Sequence, residues 1–233
     1  MDQRTQRALA GITRRFYDVH AADFAATRDH AWPGWERLAQ ALLARGDVAR
    51  PLRVLDVGCG NARLARFLRT RWPGELDYVG VDASEPLLAR ARTAEPRGAF
   101  HRSDVVLDGW PAAADPGRGF DLVAAFGLLH HVPGRERRAR LARELAARVR
   151  ASGWLAVSFW RFGEHERFAR RSVGWARTPW ICEAELEPGD VLLGWRDGDG
   201  VRYCHAWDTD EIEALLATLR DCGLAVRLDF DAD

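Results

Sequence analysis

Asp56, Gly58 and Gly60 lie in the run Arg53-Val54-Leu55-Asp56-Val57-Gly58-Cys59-Gly60-Asn61-Ala62, an apolar stretch ending in a carboxylate and a glycine turn. A second apolar stretch, Tyr78-Val79-Gly80-Val81-Asp82, also ends in an acid, and Asp104 follows the short run Ala99-Phe100-His101. Carboxylates at the ends of successive parallel strands, beside a glycine turn, accept hydrogen bonds from the hydroxyls and amino group of a nucleoside. The turn departs from a dinucleotide fingerprint in one respect. Arg63 stands where a third glycine would be, and Asp56 just before the turn would repel a pyrophosphate.

The chemistry indicated is therefore recognition of an adenosine that carries a cationic tail, and S-adenosylmethionine has that form. On this reading Asp56, Gly58 and Gly60 floor the methionine end, with the small Cys59 inside the turn and the glycines letting the backbone approach closely. Asp82, followed by Ala83, accepts from the ribose hydroxyls, while Asp104 meets the adenine amino group and Val105 the ring.

Such residues need a scaffold, and the hydrophobic pattern supplies one. Residues 1–48 read as a helical cap broken near Trp32-Pro33-Gly34. Strands are expected at 53–57, 77–81, near 99–101, at 120–126 and at 153–160. Helices fall between them, one opened by Ser84 with Pro86 in its first turn, another over 135–150 with Leu141, Leu145 and Val149 on one face. The alternation predicts an α/β, doubly wound, mostly parallel sheet. It breaks at 161–208, a tryptophan-bearing insertion after strand five. There 190–196 and 201–207 flank Asp197-Gly198-Asp199-Gly200 as a β-hairpin. Thr209 is expected to cap a last helix through about Leu219, and 224–230 a final strand. One domain over 1–233 follows: cap 1–48, cofactor core 49–160, substrate-facing insertion 161–208, last helix and strand 209–233.

Composition narrows the class. The 233 residues carry 34 basic and 34 acidic side chains, so no global field gathers polyanions. Every basic side chain apart from histidine is arginine. The cysteines Cys59, Cys182, Cys204 and Cys222 show no metal-ligand spacing, and no run is long and apolar enough to span a bilayer. No metal, no membrane and a reducing, cytoplasmic setting are expected.

Across about residues 50–160 this arrangement resembles the class I S-adenosylmethionine-dependent methyltransferases. The resemblance implies that the loop after strand four, Phe126-Gly127-Leu128-Leu129-His130-His131-Val132, borders cofactor and acceptor. Outside the core, several segments are similar to the tRNA wobble-uridine carboxymethyl methyltransferases: Tyr17-Asp18, Thr27-Arg28, Trp32-Pro33, Leu129-His130-His131, Trp195-Arg196 and Arg202-Tyr203-Cys204-His205. That family esterifies a carboxylate on the wobble uridine. The likeness implies a carboxylate clamp from Arg28 and Arg196, hydrogen-bond partners in His131, Tyr203 and His205, and Tyr17 and Arg28 near the cofactor. Trp32, Trp195 and His130 would face the acceptor. A carboxylate needs no strong base, so positioning is expected to supply most of the rate.

The chain departs from that family at Gly60-Asn61-Ala62-Arg63 (Gly-Asn-Gly-Lys there), at Tyr203-Cys204 (a tyrosine pair) and at Gly194 (a proline). The family's last strand would follow residue 230, close to where this chain ends at Asp233, so a sheet without the usual antiparallel seventh strand is expected, and a small zinc-binding activator accompanies eukaryotic members. Three readings stand: a tRNA carboxyl O-methyltransferase with an arginine and aromatic surface at 161–180, a methyltransferase of small metabolites or peptides, and a non-catalytic cofactor-binding protein.

Overall fold

The computed structural model describes residues 1–27, 30–44, 51–115, 117, 119–164, 166–195, 200–227 and 229. Three helices come first: α1 (Gln3–Val19), α2 (Ala21–Ala26) and α3 (Pro33–Leu43). Asp2 caps α1 by accepting from Thr5 N at 2.7 Å, and Leu9, Thr13 and Phe16 recur on its buried face. Trp32 is the N-cap of α3 and Pro33 its first residue, so the proline that breaks the cap also starts the next helix.

The alternating region follows as β1 (Leu52–Val57), α4 (Arg63–Arg71), β2 (Leu76–Asp82), α5 (Glu85–Ala94), β3 (Ala99–Arg102), β4 (Phe120–Ala125), α6 (Arg135–Ala146) and β5 (Val149–Val157). The strands form one parallel sheet in the order β3-β2-β1-β4-β5, the doubly wound arrangement the pattern predicts. The order reverses at β1, which pairs with β2 on one side and β4 on the other. A crevice therefore opens at the carboxyl ends of β1 and β4. Period-two alternation divides the core. Val54 packs with Leu38, Leu64 and Leu68 under α3 and α4, whereas Leu55 and Val57 pack with Leu141, Leu145 and Leu215 under α6 and α8 (Thr209–Asp221).

The insertion holds α7 (Glu166–Ala169), β6 (Ser172–Val173), β7 (Asp190–Gly194) and β8 (Val201–His205). β7 and β8 form the expected hairpin, and β6 adds a short third strand. Leu192 and Tyr203 of the hairpin pack with Leu9 of α1, so the cap and the insertion share a core.

Several assignments differ from the sequence expectation. α6 stops at Ala146 rather than 150, and Val149 already belongs to β5, opposite Phe120. The register then slips so that Leu122 faces Trp154, with Ser152 at φ 62°; the bulge hides the strand's true start. Asp208, not Thr209, caps α8, accepting from Glu211 N at 2.8 Å. Ser84 occupies the N-cap position of α5 but makes no side-chain capping bond. Among the described residues of 224–230, none is a strand. No helix among the described residues is long and apolar enough to cross a membrane.

Candidate functional site

The turn after β1 is stitched to β2, with Gly58 N and Cys59 N donating to Val81 O at 2.8 and 3.2 Å. Gly58 and Gly60 take φ of +75° and +53°, the left-handed region a side chain resists. Ala62 shares that conformation at φ 59° and opens α4, where the resembled family has glycine. Arg63 reaches back to His30 O at 3.0 Å and lies over the rings of Trp32 and Trp35. It thus secures the link between α2 and α3.

The turn ends on Asp82. Gly60 N donates to its Oδ2 and Ser84 N to its Oδ1, both at 2.8 Å, which fixes the carboxylate at the crevice mouth. Burial nevertheless raises its pKa to about 6, against those two hydrogen bonds, and Asp18 and Asp104 push in the same direction. Asp104 accepts from Val106 N and Leu107 N at 3.0 and 3.2 Å, and burial raises it too. Asp18 Oδ1 is buried with no hydrogen-bond partner among the described residues. A collar of mutually repelling acids is satisfied by a ligand rich in hydrogen-bond donors and positive charge. Gly58, Cys59, Gly60, Asp82, Ala83, Asp104, Val105, Phe126 and Gly127 all line one cleft of about 1880 Å³, which runs on to the outer edge of β5.

Asp56 does not join them. It shares the face of Val54, so alternation turns it under α3 and α4, where the Tyr78 hydroxyl donates to it. Burial raises its pKa to about 7, opposed by that hydrogen bond. The expected floor residue is a buried anchor of β1 to β2.

Across the cleft, α1 supplies Tyr17 and the loop after β4 supplies His131. His131 Nδ1 lies 2.8 Å from Tyr203 O, a carbonyl that only accepts, so Nδ1 carries the hydrogen. Nε2 then accepts from the Tyr17 hydroxyl at 2.8 Å. Burial, with Arg202 nearby, lowers the His131 pKa to about 3, so the ring is neutral. His130 sits between His131 and Trp160 at centroid distances of 4.2 and 4.8 Å, tilted to the first and edge-on to the second, and also lines the cleft. Trp195 lies against Phe16 and Phe24 on this wall. Trp32 sits elsewhere, beside Phe126 and 3.5 Å from where a Gly127 Cβ would be, at the cofactor end of the cleft.

Tyr203 and His205 are not on the cleft wall. They alternate with Arg202 and Cys204 along β8; His205 lies opposite Asp190 across the hairpin, and Tyr203, opposite Leu192, reaches Asp190 diagonally. Tyr203 donates to Asp190 Oδ1 at 2.7 Å, and His205 spans Asp190 and Glu211 at 2.8 Å each. Arg138, 1% exposed, joins Glu211 and Glu187 at 3.1 and 2.9 Å. This buried network ties β7 and β8 to α6 and α8, which corrects the expected acceptor role of both residues. Arg28 and Arg196 lie outside the described residues.

Sequence reading missed Arg202 and Asp18. Period two would have exposed the first: if Tyr203 and His205 face one way along β8, Arg202 and Cys204 face the other. Asp18 directly follows Tyr17 and carries no separate signal of its own.

Residues 54–153 match the family described as methyltransferase domain. Trans-aconitate 2-methyltransferase of Azoarcus sp. is 32% identical over 205 residues, covering 83% of this chain and 76% of that protein. Its counterpart in Methylobacterium nodulans is 37% identical over 121 residues, covering 52% of this chain, which spans 43% of that protein. Among solved structures, the DhpI-SAM-HEP complex shares the fold at a TM-score of 0.58 and 22% identity, covering 91% of this chain and 89% of that one.

Proposed function

The chain belongs to the class I S-adenosylmethionine-dependent methyltransferases, and on that premise we propose that it esterifies a carboxylate of a small-molecule acid. S-adenosylmethionine supplies an electrophilic methyl group on a sulfonium. The acid collar fits that cofactor: Asp82 would take the ribose hydroxyls, Asp104 and Val105 the adenine, and the Gly58–Gly60 turn the methionine end. Phe126, Gly127 and Trp32 would close the far wall.

One observation carries the acceptor reading. His131 has both ring nitrogens engaged and a pKa near 3, so the histidine best placed to take a proton is a poor base. An alcohol or ammonium acceptor must lose a proton on the way to product, while a carboxylate is already a nucleophile. What remains for the protein is to hold one oxygen in line with the methyl and keep water out. Tyr17, its hydroxyl locked onto His131, would wall the recess together with Trp195 and His130. The trans-aconitate relatives support a small acid by their names.

A tRNA acceptor is the weaker reading. The aromatic residues of 161–180 mostly fold inward: Phe162 is buried, and Phe168 packs on Trp160 and Phe162 at 4.9 and 5.7 Å. Among the described tryptophans Trp180 alone is exposed, which leaves little surface for stacking successive bases.

Methyl-labelled cofactor offered with trans-aconitate, other di- and tricarboxylates, and bulk tRNA tests this. The expected product is a small ester that releases labelled methanol in mild alkali. Label that is alkali-stable, or recovered in tRNA alone, would contradict it.

A further inference from the structure

Arg202 is the least explained charge among the described residues. Its exposure is only 6%. The guanidinium carbon lies 5.1 Å from the Phe16 ring, 5.2 Å from Trp195 and 5.7 Å from Trp160. Nε and Nη1 are buried without a hydrogen-bond partner among the described residues, the guanidinium otherwise meeting the Cys204 thiol. Yet the same residue lines the cleft together with Tyr17, His130, His131 and Trp195. The other two buried arginines among the described residues are paired: Arg138 holds two carboxylates and Arg148 two carbonyl oxygens.

The three rings contribute attraction to a cation through their faces, but they accept no strong hydrogen bonds. A buried guanidinium with idle N–H donors is costly unless something completes it. The missing component is an oxyanion, because guanidinium donors match carboxylate and phosphate oxygens and nothing on this wall supplies one.

We infer that Arg202 is the specificity-determining residue of the acceptor site, binding an oxyanion of the acceptor, a carboxylate, within a cage of Phe16, Trp160 and Trp195. This rests on the methyltransferase reading and deepens it. The cage gives the site its selectivity. An acid gains a partner whose charge is already desolvated, whereas an ammonium group brought to the same wall meets a like charge in a poorly screened place. Acceptors are thus acids, and amines are excluded.

Calorimetry on protein saturated with S-adenosylhomocysteine tests the assignment, with trans-aconitate, its trimethyl ester, phenylphosphonate and benzylamine as probes. Wild-type protein should bind trans-aconitate at least about 100-fold more tightly than the ester, and benzylamine not at all. R202M should lose roughly 100-fold or more of the acid affinity while keeping the affinity for S-adenosylhomocysteine, and R202K should recover part of it. Phenylphosphonate binding that likewise depends on Arg202 would support the oxyanion receptor and identify phosphonates as a second headgroup. Equal wild-type affinity for acid and ester overturns the inference without any variant. So does undiminished binding of the acid to R202M, or a wild-type protein that takes S-adenosylhomocysteine but neither oxyanion. Failure to bind S-adenosylhomocysteine at all would instead overturn the underlying reading, and the inference with it.

Discussion

Replacing Asp82 by asparagine should separate the cofactor site from the scaffold that carries it. Both carboxylate oxygens already hold one backbone N–H, from Gly60 and Ser84, at 2.8 Å each. The ribose hydroxyls would use the remaining lone pairs, as charge-assisted bonds worth about 1.5–3 kcal/mol each. Asparagine loses one of these bonds outright and makes the other an ordinary neutral bond, which removes about 2–4 kcal/mol, a weakening of roughly 30-fold to 10³-fold in Kd. Asparagine keeps one acceptor oxygen but turns an amide N–H₂ toward a backbone N–H, leaving that donor unsatisfied at a cost of about 1–3 kcal/mol to the fold. The charge also sets a pH dependence. With a ligand-free pKa of about 6, Asp82 is ionised at pH 7.5 and largely protonated at pH 5. A protonated carboxyl is the poorer acceptor, so wild-type affinity should drop by about tenfold between those values. The Asp82→Asn variant should bind weakly and show no such dependence. Titration calorimetry with S-adenosylhomocysteine at both pH values, with circular dichroism to confirm folding, measures each part. A variant that binds within threefold of wild type would refute the reasoning.

Tyr78→Phe removes the side-chain donor on Asp56 among the described residues and should cost about 1.5–3 kcal/mol in urea unfolding, with little change in cofactor affinity, since Asp56 does not line the cleft. Arg138→Met takes the guanidinium from Glu187 and from Glu211, leaving Glu211 with His205, and should destabilise by about 3–5 kcal/mol in the same assay. His131 titrates with the opposite sign to the buried acids. Its folded pKa, about 3, lies below the ordinary 6.5, so the unfolded chain binds more protons and His131's contribution is complete above pH 6.5 and shrinks as pH falls toward 3. Asp56 and Asp82, raised to about 7 and about 6, contribute stability that is lost as pH rises through those values. Comparing wild type with His131→Asn from pH 6.5 to 4 isolates the histidine, whose contribution should change by about 1.4 kcal/mol per pH unit.

The sequence by itself determined the sheet, the glycine turn and the acids at its edge. These are local: an apolar run, a residue that tolerates positive φ and a carboxylate at a strand end are read within about ten positions of one another. It also located the hairpin and placed Tyr17, His131 and Trp195 among the candidates. What it left undecided was the direction in which side chains point once strands pair. Asp56 follows Val54 on a face that only sheet packing makes interior, and Tyr78, 22 positions away, is brought to it by the β1–β2 register. The bulge in β5 shifted one boundary because an extra residue leaves no mark on hydrophobicity. Along β8 the motif Arg202-Tyr203-Cys204-His205 reads as one functional unit, but a strand shows alternate residues to opposite sides. Tertiary structure assigned Tyr203 and His205 to a buried ion network and left Arg202 on the cleft. A string of letters fixes which groups exist. Which of them share a surface depends on register and packing, and those are settled by contacts between residues far apart in the chain.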